Sequence, residues 1–143
     1  MNRYLLDTHV LIGLLTGNRE HLPDFVREDI ESYRGQYFVS VASFIEMADK
    51  QRKKTDVIVS GSAEEWRLLL AQWNVGILEL TYEVVNRFQK EGIPDSQWMQ
   101  HKDPFDRLII ATALTYHLTL ISADRKFPWW QRYRKLSLLY LGK

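Results

Sequence analysis

Short apolar runs alternate along this chain with segments whose apolar positions recur every three or four residues. The first rhythm predicts strands and the second helices. "YLLD" (4–7) reads as a buried strand closing on a carboxylate, and "HVLIGLLTG" (9–17) as a helix stopped by Gly17 and Asn18, which tolerate a left-handed cap. Over 21–35, Leu22, Phe25, Val26, Ile30 and Tyr33 keep helical spacing as far as Gly35. "QYFVSV" (36–41) is β-rich, 43–53 is helical, and Ser62 with Glu65 opens a helix over 62–74 in the capping-box pattern. "VGILEL" (75–80) returns to strand, 81–92 to helix, 104–117 to a strongly apolar helix and "LTLIS" (118–122) to strand. Strands alternating with helices need crossovers, so the expected class is α/β, a mainly parallel sheet sandwiched between helices.

Composition narrows this picture without redrawing it. The chain has 143 residues with no internal repeat and no linker, which predicts a single domain over 1–143. Hydrophobic residues at 45% against 26% charged give the balance of a soluble globular protein rather than a disordered one. Without cysteine, disulfides, thiolate metal sites and cysteine nucleophiles are excluded. No stretch reaches the roughly 18 consecutive apolar residues of a membrane span, and the N-terminus lacks the pattern of a signal peptide. A cytoplasmic location, away from membranes, is expected.

The net charge of +1 conceals two basic tracts, one at Lys50, Arg52, Lys53 and Lys54, the other at Arg125, Lys126, Arg132, Arg134 and Lys135. The second is interleaved with Phe127, Trp129, Trp130 and Tyr133, the mixture that tracks phosphates and stacks bases; a solvated surface with rings packed beneath it is the plainer reading.

Candidate chemistry lies in the acids. In open α/β sheets ligands bind beyond the carboxyl ends of the strands. Asp7 ends the first strand, Glu46 and Asp106 lie in first turns of predicted helices, and Asp124 follows the last strand. Each has a bland explanation. Ser43 and Glu46 fit a capping box, Asp103 is an N-cap before Pro104, and Asp7 and Asp124 suit caps or turns. Caps do not have to converge on one edge, however, and the topology brings these four acids there. Carboxylates about 4 Å apart repel by roughly 4 kcal/mol per pair at an effective dielectric near 20, so a divalent cation or proton uptake must relieve the cluster. All-oxygen donors suit Mg²⁺ or Mn²⁺.

"YLLDTHVLI", "FVSVASFIEM", "HKDPFDRLIIATAL" and "LTLISADRKF" together resemble the PIN-domain family, in particular the VapC-like ribonuclease toxins of toxin–antitoxin pairs. The four blocks occur in the family's order and span nearly the whole chain, with "DPFDRLIIATAL" the most specific. The resemblance implies a PIN-like three-layer α/β/α sandwich, metal-dependent cleavage of an RNA substrate and a cognate antitoxin protein that blocks the site. It places the family's acids on Asp7, Glu46, Asp106 and Asp124, with hydroxyl positions at Ser40 and Ser122 and a small polar residue at Thr8. Asp103 belongs to the DPFD variant and is a secondary candidate. Residues 51–74 match no block, and the C-terminal "FPWWQRYRKLSLLYLGK" is richer in tryptophan and basic residues than the family leads one to expect.

The expected reaction is phosphodiester hydrolysis with Asp7, Asp106 and Asp124 holding Mg²⁺ or Mn²⁺, Glu46 helping or orienting the water, and Thr8, Ser40 and Ser122 positioning acids. A non-catalytic RNA- or protein-binding module with the same fold is the alternative. A haloacid-dehalogenase-type hydrolase needs an acid two residues after Asp7, where His9 stands, and no phosphate-binding glycine loop exists. His101 precedes a helix and reads as a surface residue. The C-terminal tryptophans are candidates for a homodimer face, an antitoxin groove or closure of the core.

Overall fold

The computed structural model describes residues 2–18, 20, 22–53, 59–90, 104–123 and 137–141. Its strands are β1 (Arg3–Leu6), β2 (Gln36–Ser40), β3 (Gly76–Leu78), β4 (Thr119–Ser122) and β5 (Leu138–Tyr140). The helices are α1 (Thr8–Thr16), α2 (Asp24–Glu31), α3 (Val41–Lys53), α4 (Ala63–Gln72), α5 (Tyr82–Lys90) and α6 (Pro104–Tyr116). The strands form one sheet in the order β3-β2-β1-β4-β5, and every pairing is parallel.

Consecutive leucines in β1 show how the layers form. Side chains alternate across a strand, so Leu5 and Leu6 point to opposite faces. Leu6 joins Val10, Val26, Val39, Leu70 and Ile121 under α1, α2 and α4. Leu5 joins Leu120, Ile109, Ile110 and Ala113 under α6. A central parallel strand buried on both faces must be apolar throughout, which is why "YLL" and "TLIS" read as runs rather than alternations. Each fully buried leucine contributes about 1.5–3 kcal/mol.

Helix ends follow the chemistry of their termini. Gly17 closes α1 at φ 74° in the left-handed region. Asn74 and His117 do the same duty at φ 57° and 55°, with Val75 N–H donating to Leu70 O and Leu118 N–H to Ala113 O, both at 2.9 Å. These tight stops let α4 and α6 turn straight into β3 and β4.

Three elements differ from the sequence reading. Helix α2 covers only Asp24–Glu31 of the 21–35 stretch, starting after Pro23 and closing at Ser32 and a left-handed Tyr33 at φ 56°. Helix α3 begins at Val41 rather than 43, directly from β2, because Ser40 Oγ accepts from Ala42 N–H at 3.0 Å and serves the helix start. Strand β5 was not anticipated; "LLY" pairs with β4 along Leu120↔Leu138, Ile121↔Leu139 and Ser122↔Tyr140.

Candidate functional site at the carboxyl edge of the sheet

The register assembles the site. Leu6 pairs with Ile121 in β4, and Leu5 pairs with Phe38 in β2. Continuing those ladders by one and two residues sets Asp7, Ser122 and Ser40 in one row at the carboxyl ends of β1, β4 and β2. Asp7 N–H still donates to Ile121 O at 3.1 Å, so the row is held by backbone as well.

Asp7 leaves the strand at φ −74°, ψ 175° and is the N-cap of α1, its Oδ1 accepting from Val10 N–H at 2.9 Å. The cap explanation therefore accounts for one oxygen. The other, Oδ2, accepts from the Ser122 hydroxyl, 115 residues away along the chain. Asp7 is 3% exposed and Ser122 is sealed entirely. A buried carboxylate survives only if hydrogen-bonded or paired, and both oxygens of Asp7 accept hydrogen bonds.

Glu46 stands beside it through Thr8. Thr8 Oγ1 donates to Glu46 Oε1 at 2.7 Å and shares a 2.9 Å hydrogen bond with Ser43 Oγ. With α3 starting at Val41, Ser43 lies inside the helix and is fully buried, so the Ser43–Glu46 capping box is not formed; Glu46 falls in the second turn. Its Oε2 faces Lys50 Nζ at 3.5 Å, one helical turn on. Adjacent residues Asp7 and Thr8 thus reach two different partners, tying β4 and α3 to the end of β1.

Asp106 is half-buried in the first turn of α6. Because α6 runs back to feed parallel β4, its N-terminus lies at the same edge of the sheet, and α6 packs against α3. Asp103 and Asp124, like His101 and the 125–135 basic tract, lie outside the described residues. Among the described residues no three of Asp, Glu and His gather into a metal-holding group.

The α3 cations have close partners. Lys53 and Arg52 bond Asp49 at 2.9 and 3.1 Å and hold its carboxyl below the usual range, Lys53 foremost. Lys54 is outside the described residues. Sequence reasoning saw Lys50 only as part of a charge run and Ser43 only as a cap. The i,i+4 spacing of Glu46 and Lys50 was the available signal for the first; nothing local marked Ser43 as a partner of Thr8.

No helix of the described residues is long and apolar enough to cross a membrane. The PIN domain family model matches residues 4–131. No curated protein sequence matches. Among solved structures, the chain is similar to VapBC2 from Rickettsia felis bound to a promoter DNA fragment, at 17% identity over 96% of this chain and 97% of that one, with TM-score 0.64. It is similar to DNA-bound VapBC from Salmonella typhimurium at 16% identity, 98% of each chain and TM-score 0.64. A toxin–antitoxin complex from Klebsiella pneumoniae shares 22% identity over 87% and 89%, with TM-score 0.54. At such identities the likeness is one of fold.

Proposed function

This chain belongs to the PIN-domain family, and from that premise we propose that it is a metal-dependent endoribonuclease, the toxin of a toxin–antitoxin pair. The observation that carries the reading is the buried Asp7, ending the central strand with one oxygen held by Ser122, next to a Thr8 that holds Glu46. A purely structural cap needs no second carboxylate linked to the neighbouring residue, and burying both is costly beyond what Lys50 beside Glu46 offsets.

The donor set fits a hard divalent ion: buried carboxylates linked to the hydroxyls of Thr8, Ser43 and Ser122, all of them oxygen donors. Asp7 and Asp106, with Asp124, would hold Mg²⁺ or Mn²⁺. When bound, the ion supplies Lewis-acid charge for attack of water on a phosphodiester. The chain's own residues do the rest. Ser122 and the Val10 amide fix the plane of the Asp7 carboxylate, so it need not reorganise on binding. Thr8 holds Oε1 of Glu46 and Lys50 faces its Oε2, which aims this carboxylate as the group that orients the attacking water. Lys50 offsets part of the negative charge that would otherwise repel RNA.

The partner expected is a small antitoxin that covers this edge, as toxin–antitoxin complexes occur among the fold's neighbours. Co-purification with a small protein encoded beside this one tests it. For the reaction, the test is cleavage of single-stranded RNA with Mg²⁺ or Mn²⁺, compared with EDTA and with Asp7→Asn. EDTA should abolish cleavage, and the variant should lose about 100-fold or more, beyond the 10–100-fold that outer-shell partners cost. Cleavage that survives both removes the metal-acid reading. RNA binding without cleavage under any divalent ion would instead establish the binding-module alternative.

A further inference from the structure

Arg107 follows Asp106 in the first turn of α6, and its guanidinium carbon lies 4.4 Å from the centre of the Phe88 ring of α5. Its Nε is sealed from solvent without a hydrogen-bond partner, and among the described residues no carboxylate or carbonyl pairs with the guanidinium. Arg27 is the useful contrast. Its Nε is also unpartnered, yet Asp24 and Glu31 each lie 3.5 Å from its terminal nitrogens. Arginine is seldom buried without an anion, and a half-buried fork braced over a ring is pre-organised for one.

The placement says which anion. Adjacent helical residues project about 100° apart around the axis, so Arg107 flanks the edge where Asp106 stands without entering the acidic row. More than two turns along α6 from Arg107, the same helix pair carries a groove of about 460 Å³ lined by Glu83, Asn86, Arg87, Lys90 and Thr115, so α5 adds cations to this flank of the molecule. An acidic site that works on a polyanion needs positive charge beside it, and a planar fork matches phosphate oxygens two at a time.

We propose that Arg107, propped on Phe88, is a substrate-binding residue that grips an RNA backbone phosphate flanking the one at the carboxylates. This rests on the nuclease reading for its ligand, but its test does not need cleavage. Binding of a fluorescent single-stranded RNA to the intact protein is measured in EDTA over a salt series, for wild type, Arg107→Gln and Arg107→Lys, with thermal unfolding recorded for each. Loss of one phosphate contact on single-stranded RNA should reduce the slope of log affinity against log salt by about 0.7. Affinity for Arg107→Gln should fall about tenfold or more at low salt, since charge-assisted bonds are lost. Arg107→Lys should keep the slope and recover only part of the affinity, because it restores the charge but not the fork. Where cleavage is measured, KM should rise with kcat little changed.

An Arg107→Gln protein that is folded and binds RNA with wild-type affinity and salt slope overturns the proposal and leaves the nuclease reading intact. A wild type that never cleaves, yet loses RNA affinity and slope in Arg107→Gln, supports the phosphate site while the nuclease reading fails. If Arg107→Gln does not fold, Arg107→Lys decides: unchanged affinity overturns the fork's role, and reduced affinity at unchanged slope supports it.

Discussion

Thr8 carries more of the site than its size suggests. One hydroxyl links the residue after Asp7 to Glu46 and Ser43, in a pocket where Thr8 is 4% exposed. Thr8→Val keeps the shape and removes the donor, leaving Glu46 Oε1 buried without it. The expected cost is about 1–3 kcal/mol in denaturant unfolding, and cleavage should fall about 10–100-fold as Glu46 loses its aim. A variant equal to wild type in both measurements would show that Glu46 is oriented by Lys50 alone.

Among the elements, two serine–glutamate pairs at the same spacing had opposite fates. Ser62 and Glu65 form a reciprocal box at the start of α4, with Glu65 N–H donating to Ser62 Oγ at 3.2 Å and Ser62 N–H to Glu65 Oε1 at 3.0 Å. Ser62→Ala should lower stability by about 1 kcal/mol, read as a shifted urea midpoint at unchanged slope. Ser43 and Glu46 share the spacing but not the role, because β2 passes into α3 without a loop and Ser40 has already taken the start. The helices α4 and α6 were legible from periodicity and caps, and the edge of the site from strand ends alone. What local pattern could not reveal was a buried hydroxyl chain between residues 35 and 115 apart, or the brace of Phe88 under Arg107. Strand β5 was hidden for a related reason: three residues show no rhythm, and only the ladder to β4 makes them a strand.

At the scale of the whole molecule, the amino edge of the sheet sets a limit on alkaline stability. Tyr37 is 3% exposed, stacks on Tyr4 at 5.2 Å and donates its hydroxyl to Asp29 Oδ2 at 2.7 Å. Burial chiefly, then the bond and charge of Asp29, push its ionisation well above the ordinary value of 10.0. An unfolded tyrosine releases its proton near that value while the folded one retains it, so the folded state binds more protons there. The contribution is whole below pH about 10 and is lost as pH rises beyond it, by at most about 1.4 kcal/mol per pH unit. Tyr37→Phe should flatten that decline in urea midpoints collected between pH 9 and 11; an identical decline would assign it to other groups.

The bond between Asp7 and Ser122 also sets a clock on synthesis. Strand β1 is translated well before β4, one of its two neighbours in the sheet, and closing so long a loop comes late in folding. A nascent or prematurely terminated product is therefore a protein with half a centre. Whatever chemistry this edge performs is withheld until the two strands are joined.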